Sequence, residues 1–178
     1  MTLASWTAWQ IPRRDLSHAY GSAEDVPGLL CAIACGEAEA TSKAVRALFG
    51  SIWHQGSVYT ATEYAVPFLA RMAAAGLAPR DLPQLLGCIA ESGDDPSATP
   101  GGARAAVAAQ AGLLAPLLDS PDSQVRTTVA WALAQSGLAA EVFPALRSRW
   151  ETEQDPPVRA ALLRAMSELG FSPEPEFS

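Results

Sequence analysis

One spacing constrains this chain more than any other feature. The run Asp122-Ser-Gln-Val125-Arg126-Thr-Thr-Val129-Ala130-Trp131-Ala132-Leu133 leads to Gly137. The run Asp155-Pro-Pro-Val158-Arg159-Ala-Ala-Leu162-Leu163-Arg164-Ala165-Met166 leads to Gly170, so the Asp, Val, Arg and Gly each recur 33 residues on. A fixed period of that size, filled with helix formers, is the mark of stacked helical repeats. Val125, Val129, Ala132, Leu133 and Ser136 fall on one helical face, and Val158, Leu162, Ala165, Met166 and Leu169 on the matching face one unit later. Asp122 and Arg126, like Asp155 and Arg159, stand four apart and can pair within a helix; a ladder between units is the other use of the two arginines.

Other helical segments follow upstream. Val26, Leu29, Leu30, Ile33 and Ala34 mark a helix ended by Gly36, with Ser22 as its expected cap. Further helices are expected over 38–51, from about Thr60 to Ala75, from Asp81 to about Ala90, over 103–118 and over 141–150. No strand pattern competes, so the fold class is all-α. About eight helices make about four antiparallel pairs in an α-α superhelix, as one domain over residues 1–178. Residues 1–21, with Trp6 and Trp9, read as an N-terminal cap on the open end of the stack. Residues 91–102, rich in Gly, Pro, Ser and Asp, read as a loop insertion, and 171–178 as a flexible tail.

The two matched units resemble HEAT-type repeats, including the HEAT-like repeats of phycobilisome lyases. The blocks His18-Ala-Tyr-Gly-Ser-Ala-Glu-Asp-Val-Pro27, His54-Gln-Gly-Ser-Val-Tyr-Thr-Ala-Thr62 and Ala65-Val-Pro-Phe-Leu69 resemble a bacterial subgroup of such proteins. The resemblance implies a right-handed solenoid whose concave face holds a protein partner without catalysis. Some members of the subgroup are read as antitoxin or immunity proteins, which implies a partner with a basic surface.

Charge narrows the partners. The net charge is −7, and Lys43 is the one lysine among 12 basic residues. With no Lys/Arg cluster to follow a phosphate backbone, no nucleic acid partner is expected. There is no basic-then-apolar leader and no run of 18 apolar residues, so a cytoplasmic address with no membrane partner is the expectation. Cys31, Cys35 and Cys88 lie in apolar runs and read as small core residues. With His18 and His54 the only histidines, no metal and no cofactor are expected.

Two groups of residues are candidates for function. Trp131 stands roughly 140° from the centre of its apolar stripe at about 100° per residue. Its counterpart one period later is Arg164, and two periods earlier Tyr64. Trp, Tyr and Arg dominate binding hot spots, so Tyr64, Trp131 and Arg164, with Tyr59, are the expected partner-binding strip. The competing use of Trp131 is packing on the neighbouring helix. The second group is His18, His54 and Glu63, near Tyr20 and Tyr59, which would suit acid–base work on a small molecule if the scaffold carried an enzyme. Helix capping is the alternative use of these histidines.

Overall fold

The computed structural model describes residues 16–171. The cap expected over residues 1–21, including Trp6 and Trp9, therefore lies largely outside the described residues, as do 172–178 of the tail. Strands β1 (Ser17–His18) and β2 (Gly21–Ser22) precede α1 (Val26–Cys35) and α2 (Ala38–Ser51). Strands β3 (Trp53–His54) and β4 (Ser57–Val58) precede α3 (Thr60–Ala74) and α4 (Asp81–Glu91). Strand β5 (Gly93–Asp94) follows, then α5 (Gly102–Ala108), α6 (Ala111–Leu114) and a 3-10 turn, Ala115–Asp119. The chain closes with α7 (Ser123–Ser136), α8 (Ala139–Thr152) and α9 (Pro156–Glu168). No helix among the described residues is long and apolar enough to cross a membrane.

The helix boundaries follow from local chemistry. The Asp122 carboxylate accepts the Gln124 N–H at 2.9 Å, satisfying an amide that the first turn of α7 leaves without a partner. Gly137 ends that helix at φ +77°, where a side chain would be strained. Asp155 and then Pro156 open α9, the proline filling a position that needs no N–H. The expected single helix over 103–118 is instead broken into three pieces. Pro116 has no N–H to give to an α-helical ladder, and from Ala115 onward the chain tightens into the 3-10 turn. Ser22 caps nothing: it lies in β2, and Asp25 is the residue before α1.

Packing arranges the helices in neighbouring rows. α1 lies on α2, α3 on α4, the 3-10 turn on α7, and α8 on α9. Along the chain of second helices, α4 touches α7 and α7 touches α9, while α3 runs beside α5. α7 is thus enclosed, with Val125, Val129, Ala130, Ala132, Leu133 and Ala134 all buried. On α9 Val158, Leu162, Ala165 and Met166 are buried, as the 33-residue spacing requires.

Short strands correct the expectation that no strand competes. β3 and β4 form an antiparallel hairpin, and β5 joins β4 in parallel through Ser57↔Gly93 and Val58↔Asp94. The segment 91–102 is therefore bonded into the fold at its first half: Gly93 N–H donates to Gly56 O and Asp95 N–H to Val58 O at 2.8 Å. Its second half is closed by the Asp94 carboxylate, which accepts the Gly101 N–H at 2.7 Å. The cysteines also depart from expectation. Cys31 and Cys35 are exposed on α1, four residues apart and so on its outward side, and Cys88 is half-buried on α4.

The repeat arginines do not pair with the aspartates four residues before them. Arg126, only 8% exposed, forms a two-pronged pair with Glu153 (Nε–Oε2 2.7 Å, Nη2–Oε1 3.1 Å) and donates to the Ser120 and Pro121 carbonyls. Arg159 donates to the Trp150 carbonyl at 2.7 Å and lies over the Trp150 ring. Asp122 pairs instead with Arg80 of the preceding unit at 2.7 Å, which holds its carboxyl below the usual range. Both arginines thus donate to backbone carbonyls of the segment before their own helix, and Arg126 also reaches forward to Glu153, because a guanidinium on an inward face must satisfy several donors at once.

Glu153 is the hub of that network. It is 3% exposed, accepts from Arg126 and Arg149, and takes the Asp155 N–H at 2.9 Å. Burial alone would raise its pKa. The bonds from Arg126, Asp155 N–H and Arg149 outweigh that and lower it to about 2. Its stabilising contribution is therefore complete above about pH 4.5 and is lost as the pH falls toward 2. Glu153→Ala strands two arginines and should lower unfolding free energy at pH 7 by about 3 kcal/mol in urea titrations. The gap between the two proteins should narrow on acidification through that window.

Candidate functional site

Trp131 lines an open groove of about 370 Å³ that crosses α4, α7 and α9. α7 contributes Gln124, Thr127, Thr128 and Trp131; α9 contributes Ala161, Arg164, Ala165 and Glu168; α4 contributes Gln84. Its lining combines two alanines and the indole with amides, hydroxyls and charges. Trp131 is half-buried, and its six-membered ring lies on Gly87 of α4. A Cβ at Gly87 would collide with that ring, so the absence of a side chain is what lets the indole rest on the helix backbone. Trp131 therefore packs on the neighbouring helix and lines the groove at the same time.

The polar rim is only partly self-satisfied. The Gln124 amide reaches Thr128 Oγ1 at 3.4 Å, and Gln135 donates to the Glu168 carboxylate at 2.9 Å. The Gln84 amide points to Cys88 Sγ, and burial pushes the Cys88 thiol up. Arg164 is exposed and makes no hydrogen bond, ion pair or ring contact with the described residues.

Of the four residues expected to form a binding strip, the fold brings two together. Trp131 and Arg164 share the groove because they hold equivalent positions on adjacent helices. Tyr64, 38% exposed, sits on α3, which runs beside α5 and not in the α4–α7–α9 row. The period fails upstream because the preceding unit is longer: Arg80, the residue before α4, stands 42 positions before Asp122. Tyr59 precedes α3, where its N–H donates to Thr62 Oγ1 at 2.9 Å, and it does not line the groove. Gln84, Gln124 and Gly87 escaped the sequence reading, since amides and a glycine on helices have no pattern that separates a groove from a solvated face.

The histidines belong to a different end of the molecule. His18 is buried; its Nδ1 accepts the Tyr20 N–H and its Nε2 meets Asp25 Oδ1 at 2.9 Å, so both ring nitrogens are engaged. That bond ties β1 to the residue before α1, which is a structural use. His54 meets the Tyr20 ring edge-on at 5.5 Å, and Tyr20 is 72% exposed. Glu63 faces elsewhere, toward Thr99 and Gly102 at the start of α5. No contact joins Glu63 to either histidine. Burial, with the nearby Asp95 carboxylate and Tyr20, raises the Tyr59 phenol. Among the described residues no three His, Cys, Asp or Glu side chains gather as a metal-binding group.

Two further hollows, of about 580 and 440 Å³, share Arg104 at their margin. Small residues such as Ala105, Ala108 and Gly112 line the larger one. Arg104 is committed to the Ala90 carbonyl at 2.7 Å, so neither hollow offers an aromatic anchor with a free charge beside it.

Compared with known proteins, residues 102–167 match the family model for HEAT repeats. No curated protein and no solved structure matches the chain. The matched span runs from the start of α5 nearly to the end of α9 and so contains the groove's α7 and α9 walls.

The contact between Trp131 and Gly87 can be tested as a coupled pair. Gly87→Ala should cost about 2 kcal/mol in chemical denaturation, because the core there has no room for a methyl. In a Trp131→Ala background the same change should cost far less, giving a clear coupling energy in the double-mutant cycle.

Proposed function

Because residues 102–167 match the family model for HEAT repeats, we propose that the protein is a binding module of short solenoid form that holds a protein partner along the α4–α7–α9 row. HEAT repeats commonly mediate protein interactions. The observation that carries the reading is the groove around Trp131, where an indole anchored on Gly87 stands beside an unengaged guanidinium. An immobilised aromatic beside a free charge is the composition of an interface hot spot. Because Trp131 is already pinned by α4, little side-chain entropy is left to lose on binding.

The net charge of −7 favours encounter with a basic partner over distance, and an antitoxin-like role is the most concrete form of this reading. For the acid–base alternative, His18 and His54 do flank Tyr20, but both ring nitrogens of His18 are spent on Asp25 and the Tyr20 N–H, and Glu63 lies apart against Thr99.

The test is affinity capture from native-host lysate with the full chain, run beside Trp131→Ala and Tyr20→Ala. The expected outcome is one protein retained by wild type and Tyr20→Ala and lost, by tenfold or more, with Trp131→Ala of unchanged helical circular dichroism. Equal retention by all three chains, or a Trp131→Ala chain that simply unfolds, counts against the reading.

A further inference from the structure

We infer that the Trp131 groove is a carboxylate-accepting site, and that the segment it holds presents an Asp or Glu side chain to Arg164 and the Trp131 indole N–H. The inference rests on the proposed binding role and specifies the chemistry of the bound segment.

The first observation is the charge inventory. Ten basic side chains lie among the described residues. Nine of them are engaged: Lys43 with Glu39, Arg46 with Ser42, Arg71 over Phe68, and Arg80 with Asp122. Arg104 meets the Ala90 carbonyl, Arg126 and Arg149 meet Glu153, Arg147 meets Glu151, and Arg159 meets the Trp150 carbonyl. Arg164 alone of these has no partner, in a protein with an excess of acids. The nearest candidate on its own helix is Glu168, four residues on, and the Gln135 amide holds that carboxylate at 2.9 Å. Five donors in a fixed fork are left facing solvent at the groove's edge.

The second observation is independent. The Trp131 atoms over Gly87 are Cε3, Cζ3 and Cη2, the edge of the indole away from nitrogen. The pyrrole N–H is therefore on the opposite edge, and it has no acceptor among the described residues. A donor-only group and a cation-bearing fork, both unmatched, line one groove. The chemistry that satisfies both is a planar anion with two acceptor oxygens, and a carboxylate pairs with guanidinium in that two-pronged manner. Gln84 and Gln124 flank the centre, and their amides carry both a donor and an acceptor suited to peptide groups on either side of the anchor. The groove is open, so a chain can pass through it, which favours an internal side chain over a chain terminus.

Long-range attraction to a basic surface and a local acidic anchor do not conflict. The former acts over a Debye length of about 8 Å, the latter only at contact. The fitting segment carries one Asp or Glu beside an apolar residue that rests on the exposed part of the indole.

The test uses a phage-displayed library of random dodecamer peptides panned against the full chain, with each binder remeasured on Trp131→Ala, Arg164→Gln and Arg164→Glu. Arg164 is exposed, so both changes at that position should leave the melting temperature unchanged. The expected result is binders with an invariant acid whose replacement by Gln or Asn weakens binding about tenfold. Arg164→Glu should reverse the preference, so that Lys in place of the acid restores binding. Binders that need Trp131 but are indifferent to the acid and to Arg164→Glu overturn the carboxylate assignment and leave the binding role standing. A library without any Trp131-dependent binder overturns both.

Discussion

The α8–α9 unit is held to the one before it by an ion pair that water hardly reaches. Arg126 and Glu153 are 27 positions apart, and their pairing fixes how the turn before α9 sits against the start of α7. Geometry decides its worth. A buried carboxylate is costly alone, yet Glu153 has Arg126, Arg149 and a backbone N–H around it, so its charge is retained at a pKa of about 2. The groove wall that Arg164 and Trp131 share exists only while α7 and α9 keep that relation. The shape of the groove and this buried pair are therefore linked through one turn.

Trp131 shows that packing on a neighbouring helix and lining an open groove are not alternatives. Its benzene edge fills the place of a missing side chain on α4, and the rest of the ring remains open. A tryptophan held on one edge is rigid without being consumed. The same economy appears in Asp122, which caps α7 with one oxygen and takes Arg80 with the other, joining α4's unit to the next.

The 33-residue spacing made α7 and α9 legible with their buried faces, and it placed Trp131 and Arg164 in register. It failed for Tyr64, because the unit between α4 and α7 carries β5, a closed loop and a broken helix, and its length departs from the period. The fate of Arg126 was not legible either. A spacing of four to Asp122 reads identically whether the guanidinium lies along its own helix or turns inward, and only the position of Glu153 in the fold separates the two. Cys31 and Cys35 read as core because their neighbours are apolar. α1 carries no charged residue on any side, so composition there could not distinguish its inner from its outer surface.

The closed loop after α4 has a consequence for how such a molecule tolerates change. Asp94 bonds the backbone of Gly101, while β5 is fastened to β4, so both ends of the stretch are clamped to rigid structure. Between those clamps Asp95 and Thr99 are bonded to Val58 and Glu63, and residues 96–98 make no hydrogen bond outside the loop. Length could be added or removed there as in the span of a buckle, with the strap on either side unmoved. This makes the 96–98 stretch the natural port for grafting a tag without disturbing the groove.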